Sequence, residues 1–265
     1  MIFDTHAHYD DKAFDEDRDE LLSSLPRGGV CRVVNVTASE ASLTESPALA
    51  RRYDHVYTSA GLHPTEIYDL DLSVLSRVEE LCSYEKTVAI GEIGLDYHYP
   101  DTDEARQKEF FEAQLDMARR VGLPVIIHSR DAAKDTMDIL KQYHAGDIGG
   151  VVHCYSYSLE MAREYVEMGL YIGVGGVVTY KNGRKLKECV ECLPLDSIVL
   201  ETDCPYLAPE PKRGQRNSSL NLSYVAAQIA HIRGTDMREV EDITLKNAMN
   251  LYRMESRQGF VSVGI

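Results

Sequence analysis

Two histidines stand one residue apart in FDTHAHYD, residues 3–10, inside a short apolar run. Side chains alternate across an extended strand, so His6 and His8 point to the same side and can converge on one object. A metal ion is the first candidate, although a solvated or hydrogen-bonded pair would give the same letters. Other apolar runs are interrupted in the same way. Glu92 falls in TVAIGEIG, His128 ends PVIIHS, His153 lies in GVVHCYS and Asp203 ends SIVLETD. Any one of these histidines alone would read as a core residue with a single hydrogen bond. Four imidazoles and two carboxylates gathered in one place are another matter: burying them unpaired is costly, and one or two divalent cations would satisfy them together.

For these residues to meet, the elements carrying them must be arranged in a particular way. Eight β-rich runs follow one another, beginning near Ile2, Cys31, His55, Thr87, Pro124, Gly150, Tyr171 and Ser197, and most are separated by segments with helical spacing. In EARQKEFFEAQLDMARRVG, residues 104–122, Phe110, Phe111, Leu115, Met117 and Ala118 make one broad apolar face. Strand and helix in alternation imply a parallel sheet. Eight such units fit an α/β fold of the TIM-type (β/α)8 barrel kind, in a distorted form, better than an open doubly wound sheet. In a barrel the C-terminal strand ends meet at one rim, which would bring all six polar residues together. Residues 208–223, APEPKRGQRNSSLNLS, are the longest loop-like stretch and would lie at that rim. A helix pair over 224–233 and 237–253 is expected to cover the outside. The reading is one barrel domain over 1–254 and a poorly ordered tail over 255–265.

Composition narrows the function. A chain of 265 residues with 44% hydrophobic content can build a large core as one barrel. Its net charge of −15 argues against nonspecific docking along duplex nucleic acid, so an anionic substrate would need a metal or a few arginines. The six cysteines lack the spacing of a disulfide scaffold and read as free thiols. Cys189 and Cys192 form a CVEC in a helical run, but no second such pair completes a zinc site. No signal peptide or membrane-spanning run is recognisable, so a soluble, cytoplasmic protein with no membrane partner is expected.

Several motifs in order, DTHAHYD, GLHPT, GEIGLDY, HSRDA, HCYS and ETDCPYLAPEPKRGQRN, resemble the TatD-type metal-dependent deoxyribonucleases of the amidohydrolase superfamily, over nearly the whole chain to about Met254. The resemblance implies a distorted TIM barrel, one to three divalent cations (Mg, Mn or Zn) and hydrolysis of phosphodiester bonds, usually from a 3′ end. It also implies a division of ligands: His6, His8, Glu92 and Asp203 for one cation, and Glu92, His128 and His153 for a second, with Glu92 as the bridge. A carboxylate suits that role because its two oxygens can face two cations, whereas a neutral imidazole cannot bridge. One departure stands out. Such proteins commonly follow Arg-Asn with Glu-Pro, and here Asn217 precedes Ser218 and Ser219, which bears on the shape of the rim loop.

Asp203 is the expected general base, taking the proton of an attacking water that a cation has acidified. Glu201, two residues earlier on the same face, is expected to orient a ligand histidine or to add a ligand, with a purely structural role as the alternative. His63, Arg130 and Arg216 are candidates to contact phosphate, and Tyr97 and Tyr206 to stack on a base or ribose. His55, His98, His144 and His231 read as surface or structural residues. The leading expectation is a 3′→5′ exodeoxyribonuclease acting on single-stranded DNA ends. Hydrolysis of another ester or amide, such as an aminoacyl ester, keeps the same centre. No lysine lies in the apolar part of a strand to serve as the carboxylated bridge of many related barrels, which favours the nuclease by analogy. A non-catalytic metal-binding scaffold is the third reading, and it would predict missing ligands, whereas all are present.

Overall fold

The structure is a computed structural model and describes residues 1–254. The expectation for residues 255–265 lies outside the described residues. Eight parallel strands run in sequence order: β1 Ile2–Ala7, β2 Val30–Asn35, β3 Val56–Ala60, β4 Thr87–Asp96, β5 Val125–Arg130, β6 Gly150–Val152, β7 Leu170–Val174 and β8 Ile198–Leu200. A parallel bridge between Ala7 and Cys204 brings β1 against the chain that leaves β8, with His8 N–H donating to the Cys204 carbonyl at 2.9 Å. The barrel is thus nearly closed, as the alternation of strands and helices predicts. It is also distorted: the register shifts within the β1–β2, β3–β4 and β4–β5 pairs.

Alternation along the strands explains why the barrel is apolar below and polar above. Ile126, Val151 and Val199 belong to one buried cluster with Phe3, Val34 and Val88, and this cluster is plugged by Ala248, Met249, Leu251 and Tyr252. Two residues further along the same strands come His128, His153 and Glu201, on the same face and one step nearer the C-terminal rim. Tyr252 anchors the plug, donating to the Thr5 carbonyl at 2.7 Å. The outer face of the sheet packs on the surrounding helices. The expected amphipathic helix spans Glu104–Val121, buries Phe110, Phe111 and Leu115, and stops where Gly122 turns left-handed at φ 72°. The last two helices are Leu222–Arg233 and Met237–Leu251, so the rim loop ends two residues sooner than its polar composition implies. Leu222 is buried against the core and draws the helix start back to itself.

β4 and β5 approach closely where β4 carries GEIG, residues 91–94. A Cβ at Gly94 would overlap the His128 carbonyl oxygen, so glycine is required there to seat His128 beside Glu92.

Candidate metal centre

Glu92 sits at the centre of the rim, 3% exposed. Its Oε1 lies 2.7 Å from His153 Nε2 and 2.8 Å from His128 Nδ1. Its Oε2 faces the other way, 3.3 Å from His6 Nε2 and 3.7 Å from His8 Nε2. Asp203 Oδ1 closes that second group, 3.4 Å from His8 Nε2 and 3.7 Å from His6 Nε2. One carboxylate therefore faces two clusters of nitrogen and oxygen donors. His63 also points in, with Nε2 3.6 Å from Glu92 Oε1. Three trios each bring their ligand atoms within 4.8 Å of one another: His6, His8 and Asp203; His6, His153 and Glu201; and His63, Glu92 and His128.

Hydrogen-bond partners decide where the lone pairs go. His8 Nδ1 lies 3.0 Å from the Val36 carbonyl, which can only accept, so the neutral ring carries its proton there and turns the Nε2 lone pair toward Glu92 and Asp203. His128 Nε2 lies 3.1 Å from Asp96 Oδ2, and donation to that carboxylate leaves the Nδ1 lone pair facing Glu92. A carboxylate or carbonyl behind a histidine is the arrangement that orients metal-binding imidazoles. His6 and His153 stack with centroids 4.1 Å apart, and their Nδ1 atoms, like Glu201 Oε2, are buried without a hydrogen-bond partner. So many facing acceptors require positive charge among them, and this donor set of imidazole and carboxylate fits divalent cations.

The electrostatics agree. Burial by itself would depress His8, but the hydrogen-bonded Asp203, with Glu92 and Asp10, outweighs it and lifts the imidazole to about 9. Burial likewise opposes His153, and Glu92, Glu201 and Asp203 raise it to about 10. Burial and the neighbouring His153 push His6 down to about 4, and burial with His128 pushes His63 to about 3. Burial works against ionised Glu92 and Asp203, yet the surrounding histidines hold both below the usual carboxylate range. The site attracts positive charge wherever geometry admits it.

A family model for TatD related DNase matches residues 3–253. The chain belongs to that family. Among its relatives is YabD of Bacillus subtilis, described as an uncharacterized metal-dependent hydrolase, which is 41% identical over 254 residues covering 96% of this chain and all of that protein. A protein of Cronobacter sakazakii named 3′-5′ ssDNA/RNA exonuclease TatD is 33% identical, covering 95% of this chain and 97% of its own. Among solved structures, the TatD homolog YJJV of Escherichia coli K12 superposes with a TM-score of 0.90 at 32% identity, covering 95% of this chain and 98% of that one. As a TatD-family metal-dependent hydrolase, the chain needs a cation-binding cluster, and the barrel mouth offers one.

Around that cluster the other candidate residues take different places. Glu201 is buried beneath it, with Oε1 accepting from the Cys154 N–H. Arg130 is exposed at the end of β5, makes no ion pair among the described residues, and carries its guanidinium carbon 6.0 Å from the Tyr99 ring centre. Arg216 is already engaged, with both terminal nitrogens on Asp17 and one also on the Ala13 carbonyl at 2.7 Å. Tyr97 is half-buried, and its hydroxyl donates to Asp135 at 3.0 Å. Tyr206 is 55% exposed and bonds Asp11 at 2.9 Å. Tyr99 on the loop after β4, 52% exposed, is a ring that sequence reasoning passed over.

Two carboxylates were also missed. Asp96 stands behind His128, and buried Asp4 accepts from Thr202 Oγ1 and Ser219 Oγ, each at 2.6 Å. Burial raises Asp4 to about 6 against these hydrogen bonds. Period two would have found both, since Asp4 leads to His6 and His8, and Glu92 leads to Asp96. Asp4 also gives the Ser218–Ser219 departure a purpose. Ser219 donates its backbone N–H to the Tyr9 hydroxyl at 3.0 Å, a bond that proline cannot make, and its side chain ties the rim loop to Asp4 at the β1–β8 seam.

Proposed function

We propose that this chain hydrolyses phosphodiester bonds at single-stranded 3′ ends of DNA, using two divalent cations, Mg, Mn or Zn, that Glu92 and the histidines around it would hold. The observation that carries the proposal is the split of the Glu92 oxygens, one toward His128 and His153 and the other toward His6 and His8. A two-cation clamp suits in-line displacement at phosphorus. The substrate class is supported by the family and by the relative named as a 3′-5′ ssDNA/RNA exonuclease.

In this reading His6, His8, Glu92 and Asp203 would hold one cation, and Glu92, His128 and His153 the other, with His63 and Glu201 alongside. Bound there, the cations would supply Lewis-acid polarisation of a phosphoryl oxygen and of water. Asp203 accepts the proton of the attacking water. It is the one carboxylate of the cluster with appreciable access, 19% exposed, while its lowered pKa keeps it ionised. Water oxygen bonds to phosphorus, the bond from phosphorus to O3′ breaks, and the departing O3′ takes a proton. Asp96 and the Val36 carbonyl keep His128 and His8 in the required tautomers. Arg130 offers a free cation to a neighbouring phosphate, and the Tyr99 and Tyr206 rings offer faces on which bases stack. A net charge of −15 confines affinity to this mouth, which favours a single-stranded end over an intact duplex.

The test is a comparison of linear and circular single-stranded DNA of one sequence under Mg, with RNA and an aryl ester in parallel. Release of mononucleotides from the linear strand alone is the expected result. Equal rates on the circle would replace the end-directed reading with an endonuclease, and turnover of the aryl ester alone would remove nucleic acid as the substrate.

A further inference from the structure

Beside Asp203, a recess opens between the loops that follow β6, β7 and β8, with about 350 Å³ of empty space, open solvent at its mouth included. Its walls are largely apolar or backbone: Tyr155 and Leu186 lie deep, Val177 and Leu207 flank the opening, and Cys154 and Asp203 form the side shared with the metal centre. The far side is sealed. A Cβ at Gly176 would overlap the Leu207 carbonyl oxygen, so the β7 and β8 loops touch backbone to backbone there. Cys154, Asp203 and Leu207 have left-handed backbone, with φ of 46°, 54° and 52°. Non-glycine residues held this way gather at ligand clamps and active sites, and half of the six found among the described residues line this one recess.

We propose that the recess holds the nucleobase of the 3′-terminal nucleotide, the nucleotide that hydrolysis releases. This rests on the nuclease reading above and adds to it the contact that would hold the terminal base. A phosphate held at the Glu92 pair leaves its own nucleoside within reach of the Asp203 wall. The recess is lined by the Tyr155 ring and the Val177, Leu186 and Leu207 side chains, and its only charged residues are the carboxylates Glu201 and Asp203, so it suits an uncharged ring rather than another phosphate. Because the recess ends at Leu186 and Tyr155, it takes one base and no second behind it.

The test uses the Mg-loaded full chain. The fluorescent product nucleotide 2-aminopurine deoxyribonucleoside 5′-monophosphate should bind saturably with a change in emission, and deoxyribose 5-phosphate, which lacks the base, should displace it about tenfold less well than dTMP. Strands ending in an abasic nucleotide should be cut with about tenfold lower kcat/KM than ordinary strands. Val177→Phe fills the opening from a partly exposed position. It should cost a similar factor on ordinary ends, and its penalty should not multiply with that of base removal. The recess is refuted, and the nuclease kept, if strands are cut with indifference to the terminal base and deoxyribose 5-phosphate competes as well as dTMP. If no strand is cut and no nucleotide binds, the nuclease reading falls and takes this occupant with it. The wild-type measurements decide the matter even if the variant does not fold.

Discussion

Replacing Glu92 with Gln is the sharpest perturbation of the centre, because it preserves volume and changes only charge and one donor. In the wild type, Oε1 is 2.7 and 2.8 Å from His153 and His128, and Oε2 is 3.3 and 3.7 Å from His6 and His8. A glutamine keeps an oxygen toward one pair and must turn an NH2 toward the other, where it would displace a cation. The lost charge acts on both sides. At an effective dielectric of about 20, unit charges about 4 Å apart interact by about 4 kcal/mol, close to three decades in affinity. Relief of the buried carboxylate's desolvation offsets part of this, so a weakening of about 10²-fold at both sites is expected. Titration of the metal-free protein with Mn, followed by calorimetry or by the resonance of free Mn, would measure it. If one equivalent is lost while the other keeps wild-type affinity, Glu92 does not serve two cations.

Asp203→Asn keeps the packing but removes the proton acceptor, and should lower kcat by about 10²- to 10⁴-fold; near-normal single-turnover rates would place the base elsewhere. Asp96→Asn should weaken metal binding or activity by about 10- to 100-fold through His128 alone, and an unchanged Mn titration and rate would show that the pair has no orienting role. His8 and His153 are raised to about 9 and 10, above the ordinary 6.5, so the metal-free centre carries protons at neutral pH that cations must displace. Metal affinity should therefore rise with pH across the neutral range and level off only above about 9 to 10, with protons released on binding; calorimetric heats that are identical in buffers of different ionisation enthalpy would refute this. Chelation should abolish hydrolysis and leave a cooperative thermal transition, since the barrel core is built without the cations; retention of full activity after stripping would remove the metal mechanism.

The residues of the candidate metal centre were legible as a cluster because each breaks an apolar run at the same height in the barrel, and a polar residue there has few cheap explanations. Asp96 obeys the same alternation and was passed over because β4 continues to residue 96, beyond the apolar stretch that announces it. That extension also decides which tyrosine reaches solvent: Tyr97 is half-buried against the core, and Tyr99 emerges. Arg216 could not be read from its loop, since the partner that engages it, Asp17, lies 199 residues away and meets it only after the barrel closes. The recess beside Asp203 is similarly invisible in sequence. Its walls come from three loops that have no period and from one helix residue, Leu186, and its shape depends on where those loops touch.

The same closure that brings ligands together also creates the centre's electrostatic problem. Asp4, Glu92, Asp96, Glu201 and Asp203 all approach the mouth of a chain with a net charge of −15, which is a poor place for a phosphate to arrive. The fold meets this by giving the carboxylates separate duties. Asp4 is spent on Thr202 and Ser219 at the seam, Asp96 on His128, and Glu201 on the Cys154 backbone, so Glu92 and Asp203 are left to face the histidines. Positive charge introduced there is concentrated at one spot against a repelling surface. Affinity for a polyanion then depends on a short reach around Glu92, and a strand gains little from contacts further along. On the nuclease reading, a site of this design would distinguish substrates by what fits beside the reacting phosphate, which would make the wall at Asp203, rather than the overall charge, the place where selectivity is set.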